Sequence, residues 1–204
     1  MDGTLVDSRA LVERAWRIWA LKLGVSPDEI LAISHGRRTH EILQLFAPDG
    51  MDIDREAVKL EMEEADDAKN VCPVPGALEL LGWISDADWA VVTSASRELA
   101  LRRLSAASLP LPKILISAED VSKGKPHPQG YLLAIDRMSA RARDCLVFED
   151  APAGILAAKA AGCDVVAITA GRPHNFEVEC PAVANFHCIS FSLKSELGPR
   201  RWRG

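Results

Sequence analysis

The sequence predicts an α/β protein in which a parallel sheet has helices on both faces. Two observations carry this prediction. Four short apolar runs in the last two thirds of the chain alternate with helical patterns, which is the order of strand–helix–strand units. The first third shows helical periodicity alone. In a chain of 204 residues, 48% hydrophobic and 26% charged residues also suit a globular protein with a sizeable core.

The first third of the chain is expected to form helices. In the first of them, Trp16 and Trp19 fall on one side, and Gly24 stands just beyond the end as a stop. Ser26 is the expected N-cap of the second. The acidic run at 61–67 is interpreted as a solvated helix face. The helices are expected at 8–24, 26–34, 39–47 and 54–70.

Beyond the prolines of segment 72–77, strands and helices are expected to alternate. The strands are predicted at 89–94, 113–118, 145–150 and 164–169, and the helices at 96–108, 127–139 and 151–162. Ligands of parallel α/β sheets bind beyond the carboxyl ends of the strands. The residues that follow each apolar run are therefore the candidates for a functional site.

Those positions carry Asp2 in the opening turn, Ser94, Lys125, and the acidic pair Glu149 and Asp150. Carboxylates hold Mg²⁺ through hard oxygen ligands, and a lysine, a hydroxyl and the amides of a helix start bind phosphate oxygens. Each residue also has an ordinary interpretation: a plain Asp-Gly turn, a helix N-cap, a loop lysine and a charge pair at a helix start. Their shared location at strand ends favours a site for phosphate and metal.

These residues match the motifs of a known family. The chain resembles the haloacid dehalogenase superfamily of phosphohydrolases, whose motifs are D-x-D-G-T, a strand ending in Ser or Thr, a Lys, and an acidic pair. The counterparts here are Met1-Asp2-Gly3-Thr4, Ser94, Lys125 and Glu149-Asp150. The stretches SHGRRT, GKPHPQGYLLA and VFEDAPAGILAAKAAGC look especially like the sugar and polyol phosphatases of that group, which act on glycerol phosphate or deoxyhexose phosphates.

The resemblance implies a Rossmann-like parallel-sheet core, formed by residues 1–7 and 76–204, with a helical cap inserted at 8–75. It also implies that a first core strand and its final aspartate, the nucleophile, would precede Met1. Neither is in the sequence. We therefore expect the upstream reading frame to encode a short apolar strand ending in Asp, and the 204-residue chain to be inactive as it stands.

The resemblance further implies the roles of the acidic residues. The aspartate before Met1 would attack phosphorus and form an aspartyl phosphate. Asp2 would protonate the leaving alkoxide and then deprotonate the attacking water, a role that argues against a dehalogenase. Mg²⁺ would be held by that aspartate, the main-chain carbonyl of Asp2 and Asp150, with Glu149 in support. Lys125 would offset the charge of the phosphate and the nucleophile.

Other residues are implied to bind the substrate. Ser94 and the amide of Ala95 would hold a phosphate oxygen. From the cap, Arg38, with His35, would reach the substrate, the alternative being a solvated basic loop. Arg97 would face the sugar, although a helix-surface arginine is an equal alternative.

Together these features predict a Mg²⁺-dependent phosphomonoester hydrolase of a small sugar or polyol phosphate. A sugar phosphomutase of the same superfamily and a non-catalytic binding or regulatory short form remain alternatives. A net charge of −5 and the lack of a long apolar run give no reason to expect nucleic acid or membrane as a partner. Five cysteines without a C-x-x-C pair indicate reduced thiols in a cytoplasmic protein, which we expect to be a monomer.

Overall fold

The computed structural model describes residues 1–67, 71–170 and 178–189. The short strand β1 (Val6–Asp7) is followed by four helices, α1 (Arg9–Leu23), α2 (Pro27–Ser34), α3 (Thr39–Phe46) and α4 (Ile53–Asp66). Strand β2 (Cys72–Pro73) then pairs antiparallel with β1, so that the chain leaves the helical segment beside the point where it entered.

The rest of the described chain alternates as the sequence predicts. Its elements are α5 (Ala77–Trp83), β3 (Val91–Val92), α6 (Arg97–Ala106), β4 (Leu115–Ile116), α7 (Gln129–Arg137), β5 (Leu146–Glu149), α8 (Pro152–Ala160), β6 (Asp164–Ile168) and β7 (Ala182–Val183). Short 3₁₀ segments lie at Ala118–Asp120, Ala142–Asp144 and Phe186–Cys188. The predicted α/β class is confirmed. The sequence did not reveal α5, because this helix has only seven residues and contains Gly82, which lowers helix propensity.

Helices α1 to α4 enclose an apolar cluster of their own. Trp16 and Trp19 meet edge to face with ring centroids 5.7 Å apart, on the side of α1 that the sequence predicts to be buried. The helix ends where expected, because Gly24 takes a positive φ of 69°. Ser26 occupies the N-cap position of α2, but its side chain makes no capping hydrogen bond. The cap boundaries 8–75 and core boundaries 76–204 stay a prediction, since residues 190–204 lie outside the described part.

The parallel strands form two separate pieces rather than one continuous sheet. Strand β3 pairs with β4, and β6 lies between β5 and β7, all in parallel. Within the three described ranges, no strand ladder joins the β3 piece to the β5 piece. Instead, a shared apolar cluster holds them together, with Val91 and Leu115 from one piece and Ile168 and Phe148 from the other. Thr93 follows β3 and Asp150 follows β5, and both line one cavity, so the carboxyl ends of these two strands lie at the same side of the molecule.

No helix in the described ranges is long and apolar enough to span a bilayer.

Candidate active site

A cavity lies between the carboxyl ends of β3 and β5 and the helical segment. Its empty space, including the part open to solvent, is about 730 Å³. The core side of its wall includes Met1, Asp2, Thr93, Ser94, Ala95, Arg103, Lys125, Glu149 and Asp150. The helical side includes Val12, Trp16, Ser34, His35, Arg37, Thr39 and Glu64. The structure thus brings seven of the nine residues predicted for the site to one cavity, and Arg38 and Arg97 lie outside its wall.

Asp2 is held in place by two donors. Its Oδ1 accepts a hydrogen bond from Ser8 Oγ at 2.6 Å and from Arg103 Nη1 at 2.8 Å. Burial alone raises the pKa of Asp2, but the charge of Arg103 and these hydrogen bonds outweigh it and hold the pKa below its usual range. Asp2 is therefore an anchored carboxylate whose negative charge is balanced inside the protein.

The turn after Asp2 is packed directly against Asp150. Gly3 has a φ of 72°, and a Cβ at this position would lie 2.1 Å from Asp150 Oδ2, so the turn requires glycine for its backbone and for its close approach. Thr4 Oγ1 donates to Asp150 Oδ1 at 3.0 Å. These contacts place the first and the last predicted motif side by side.

Glu149 is surrounded by donors. Its Oε1 accepts hydrogen bonds from Lys125 Nζ and, at 2.9 Å, from Tyr131 Oη. Its Oε2 accepts from the amides of Asp150 at 3.0 Å and Ala151 at 3.1 Å. Burial alone raises the pKa of Glu149, but Lys125 and these donors hold it low. The sequence assigned Glu149 a supporting metal role, whereas here its carboxylate anchors Lys125, because both oxygens are already engaged.

No group of three or more His, Cys, Asp or Glu side chains is placed to hold a metal among residues 1–67, 71–170 and 178–189. Asp150 nevertheless contributes a buried carboxylate to the cavity wall beside the Asp2–Thr4 turn. Mg²⁺ takes oxygen ligands, keeps several waters, and needs only one or two protein carboxylates together with substrate phosphate. Asp150 and the main-chain carbonyl of Asp2 fit this chemistry, but the Asp2 carboxylate and Glu149 are occupied by other partners.

Ser94 lies on the cavity wall and touches the loop after α2. Its Oγ donates to the carbonyl of Gly36 at 2.8 Å, and Ala95 lines the wall beside it. The alternative interpretation of Ser94 as a helix N-cap is wrong, because Ser96 takes that position and accepts from the amide of Leu99 at 3.3 Å. The hydroxyl predicted for phosphate binding therefore also links the core to the helical segment.

The structure places Arg38 differently from the sequence expectation. Its guanidinium donates to Glu41 at 2.5 and 2.9 Å, to the carbonyl of Val121 at 3.0 Å and to that of Ser122 at 3.2 Å. Arg38 thus ties the loop after α2 to the loop before Lys125 and lines a smaller neighbouring cavity. The arginine that lines the main cavity from this loop is Arg37.

Of the other two residues predicted to bind substrate, His35 lies on the cavity wall and Arg97 does not. His35 lines the main cavity, with its Nε2 3.9 Å from Glu13 Oε1. Arg97 does not line it, since its guanidinium donates to Asp120 Oδ2 at 2.5 Å and to the carbonyl of Leu115 at 3.2 Å. The alternative of a helix-surface arginine therefore describes Arg97 better.

A buried ionic cluster that the sequence did not reveal connects the cavity to α4. Arg103 is 2% exposed and pairs with Asp2 and with Glu64, which is 6% exposed. The expectation of a solvated face for the acidic run of α4 is therefore wrong at Glu64, which is buried. The sequence contained one signal for this cluster, which is helical spacing. Arg103 follows the buried Leu99 by four residues and Glu64 follows the buried Leu60 by four, so each charged residue lies on the buried face of its helix.

The two carboxylates that share Arg103 differ in acidity. Burial raises the pKa of Glu64 to about 7, although the charge of Arg103 acts in the opposite direction. The pKa of Asp2 is lowered. The negative charge of Asp2 adds to the rise in the pKa of Glu64, so the pKa values of the two carboxyl groups lie apart.

Comparisons with known proteins agree with this architecture. The family described as haloacid dehalogenase-like hydrolase matches residues 1–168. The chain is 42% identical over 174 residues to hexitol phosphatase A of Escherichia coli, covering 83% of this chain and 81% of that protein. It is 34% identical over 201 residues to glycerol-1-phosphate phosphohydrolase 1 of Saccharomyces cerevisiae, covering 92% of this chain and 80% of that protein.

Among solved structures, a hydrolase from Pseudomonas syringae superposes with a TM-score of 0.75 at 28% identity, covering 91% of both chains. The parallel strands and the polar cavity at their carboxyl ends define an α/β protein with its cavity where such folds bind ligands. The chain belongs to the haloacid dehalogenase-like hydrolase family. The resemblance found in the sequence motifs is thereby confirmed.

Proposed function

We propose that this chain is a Mg²⁺-dependent phosphomonoester hydrolase that acts on a small sugar or polyol phosphate. The observation that carries the proposal is the meeting of Asp2, Ser94, Lys125 and Asp150 at one cavity. The names of its relatives, a hexitol phosphatase and a glycerol-1-phosphate phosphohydrolase, support the substrate class.

The phosphate group is proposed to bind at the core wall of the cavity. Ser94 Oγ and the amide of Ala95 would donate to a phosphate oxygen once they release their present acceptors, the carbonyl of Gly36 and Thr93 Oγ1, and the ammonium of Lys125 would balance the charge of the phosphate. Glu149 and the carbonyl of Val92 hold that ammonium through hydrogen bonds. Because Lys125 is anchored before substrate arrives, little side-chain freedom remains to be lost on binding.

Asp2 is the proposed general acid and base. The nucleophile is the aspartate that the family motif has one position before Met1, which the 204 residues do not include. In the substrate complex the negative charge of the bound phosphate raises the pKa of Asp2, so that Asp2 takes up a proton. As the aspartate before Met1 bonds to phosphorus and the P–O ester bond breaks, Asp2 gives this proton to the leaving alkoxide. Asp2 then takes a proton from the water that cleaves the aspartyl phosphate, which restores both carboxyl groups.

Mg²⁺ is proposed to be held by Asp150 and the main-chain carbonyl of Asp2. When bound, the ion would offset the negative charge that gathers on the phosphoryl oxygens. Thr4 and Gly3 fix the position of Asp150 relative to the turn, so the metal ligands and the acid/base group are set by one short segment.

Residues 8–75 are proposed to act as a cap over this site. The hydrogen bonds of Ser94 to Gly36, and of Arg38 to the carbonyls of Val121 and Ser122, join the helical segment to the core at the cavity edge. A closed cap excludes water and places substrate-reading residues opposite the phosphate. A cytoplasmic location and a monomeric state stay predictions from the sequence.

The proposal is tested by adding a short apolar strand ending in Asp before Met1. We expect the extended chain to release phosphate from glycerol 1-phosphate or a hexitol phosphate in the presence of Mg²⁺, and the 204-residue chain to release none, because covalent catalysis needs the nucleophile. Phosphate release is measured with and without EDTA for both chains.

Three results would contradict parts of this proposal. Turnover of p-nitrophenyl phosphate by the 204-residue chain, abolished by Asp150→Asn, would show that the nucleophile lies within these residues. A requirement for a bisphosphate activator would favour the phosphomutase alternative. A folded extended chain that binds phosphate esters without turnover would favour the binding-protein alternative.

Arg38→Ala is expected to raise KM about tenfold and to change kcat less, because Arg38 orders the loop that carries His35 through charged hydrogen bonds. Steady-state kinetics of the extended chain on glycerol 1-phosphate measure the effect. Arg141→Ala serves as a matched control, since Arg141 is exposed and its ion pair among the described residues is the local one with Asp144. An unchanged KM on every active substrate would remove this loop from the substrate site.

A further inference from the structure

We propose that Ser34 is a specificity-determining residue that hydrogen-bonds a hydroxyl group of the substrate, so that the site selects polyhydroxylated phosphate esters over plain alkyl phosphates. The inference rests on the proposed function and narrows its substrate class.

Ser34 carries an unpartnered hydroxyl in a buried position. It is the last residue of α2, its side chain is 6% exposed, and its Oγ has no hydrogen-bond partner within the described ranges. Buried polar groups are almost always paired, because a lost hydrogen bond to water is otherwise not replaced. A serine in the last turn of a helix can bond back to a carbonyl one turn earlier, but Ser34 does not. The orphaned hydroxyl is therefore available to a partner from outside the chain once a movement of the cavity wall uncovers its oxygen, which is closed to solvent here.

The location of Ser34 indicates what that partner is. Ser34 lines the main cavity from the helical side, together with His35 and Thr39, whereas Ser94 and Lys125 line it from the core side. A phosphate ester bound at the core side has to extend its carbon chain along the remaining wall. The hydroxyl groups of that carbon chain are both donors and acceptors, as the hydroxyl of Ser34 is.

The other buried orphan atoms of the described residues are less suited to this role. They are Trp89 Nε1 and Arg103 Nε, which can only donate. Trp89 does not line the cavity, and Arg103 is committed to Asp2 and Glu64. The hydroxyl of Ser94 already donates to Gly36. Among the described residues that line this wall, Ser34 is thus the one with a buried hydroxyl that makes no hydrogen bond.

The test compares two ligands that differ only in their hydroxyl groups. Glycerol 1-phosphate and propyl phosphate have the same number of carbons, and their dissociation constants are measured by calorimetry on the 204-residue chain with Mg²⁺ present, since binding does not need turnover. We expect glycerol 1-phosphate to bind more tightly. Ser34→Ala should raise the dissociation constant of glycerol 1-phosphate about five- to tenfold, because a single hydrogen bond is lost. The dissociation constant of propyl phosphate should stay unchanged.

Two further variants separate recognition from structure. Ser94 lies on the side of the cavity where the phosphate is proposed to bind, so Ser94→Ala should raise the dissociation constants of both ligands by the same factor. Ser34→Cys keeps the size of the side chain but donates poorly, so it should lose the preference while the melting temperature stays that of the wild type. If Ser34→Ala fails to fold, the cysteine variant still decides the question.

The inference would be overturned by equal binding of both ligands to the wild type, or by a Ser34 variant that weakens both ligands alike or lowers the melting temperature. These results leave the proposed function standing. Binding of neither ligand would also overturn the inference, whereas the proposed function is tested separately by the turnover of the extended chain.

Discussion

Asp2→Asn, made in the chain extended by a strand ending in Asp, is expected to lower kcat at least ~100-fold, the usual contribution of general acid–base catalysis. Asparagine has no proton to give to the leaving alkoxide, so the ester bond breaks slowly. The Mg²⁺ dependence should remain, because the proposed ligand is the main-chain carbonyl of Asp2. Steady-state kinetics on glycerol 1-phosphate at several Mg²⁺ concentrations measure both effects.

Asp7→Asn is the matched control for this experiment. Asp7 lies five residues further along the chain, its side chain is 59% exposed, and it does not line the cavity. The same chemical change at Asp7 should therefore leave kcat unaltered. A near-normal kcat of Asp2→Asn, with Mg²⁺ still required, would remove the acid/base assignment and leave Asp2 as an anchor for Arg103.

The second large effect is expected from Arg103→Ala, which should lower the free energy of unfolding by about 3–5 kcal/mol. The change removes the cation between the buried Glu64 and the partly buried Asp2, and leaves Glu64 without a compensating charge. Urea unfolding followed by circular dichroism measures the loss. Arg103→Lys should restore only part of it, because an ammonium lacks the forked donors that reach both carboxylates.

Two comparisons sharpen this prediction. Arg102 precedes Arg103 in α6, is about half exposed and pairs with Glu98, so Arg102→Ala should cost no more than about 1 kcal/mol. Combining Arg103→Leu with Glu64→Leu should recover much of the stability lost in Arg103→Ala, since apolar residues can replace a buried ion pair. Equal losses for the Arg102 and Arg103 alanine variants would show that the buried cluster does not stabilise the fold.

Sequence patterns located most of the site because its residues follow strands that run in parallel. Ser94 and Glu149 are far apart in the chain, but each follows or ends a short apolar run, and parallel strands bring such ends to one edge. The Asp2–Thr4 turn was recognisable because an Asp-Gly pair is typical of tight turns, and the positive φ of Gly3 explains why glycine is required there. These features depend on local sequence and on topology, and both can be read from one chain.

By itself, the sequence determined the α/β class, the order of the helices and the main strands, and the identity of the polar residues at the strand ends. Tertiary structure alone decided how those side chains are engaged: that Glu149 holds Lys125, that Arg38 binds the carbonyls of a core loop, and that Arg103 meets Glu64 across 39 positions. The physical reason is that periodicity depends on neighbours along the chain. The partner of a buried charge depends instead on which helix faces pack together, and that is settled only when the whole chain folds.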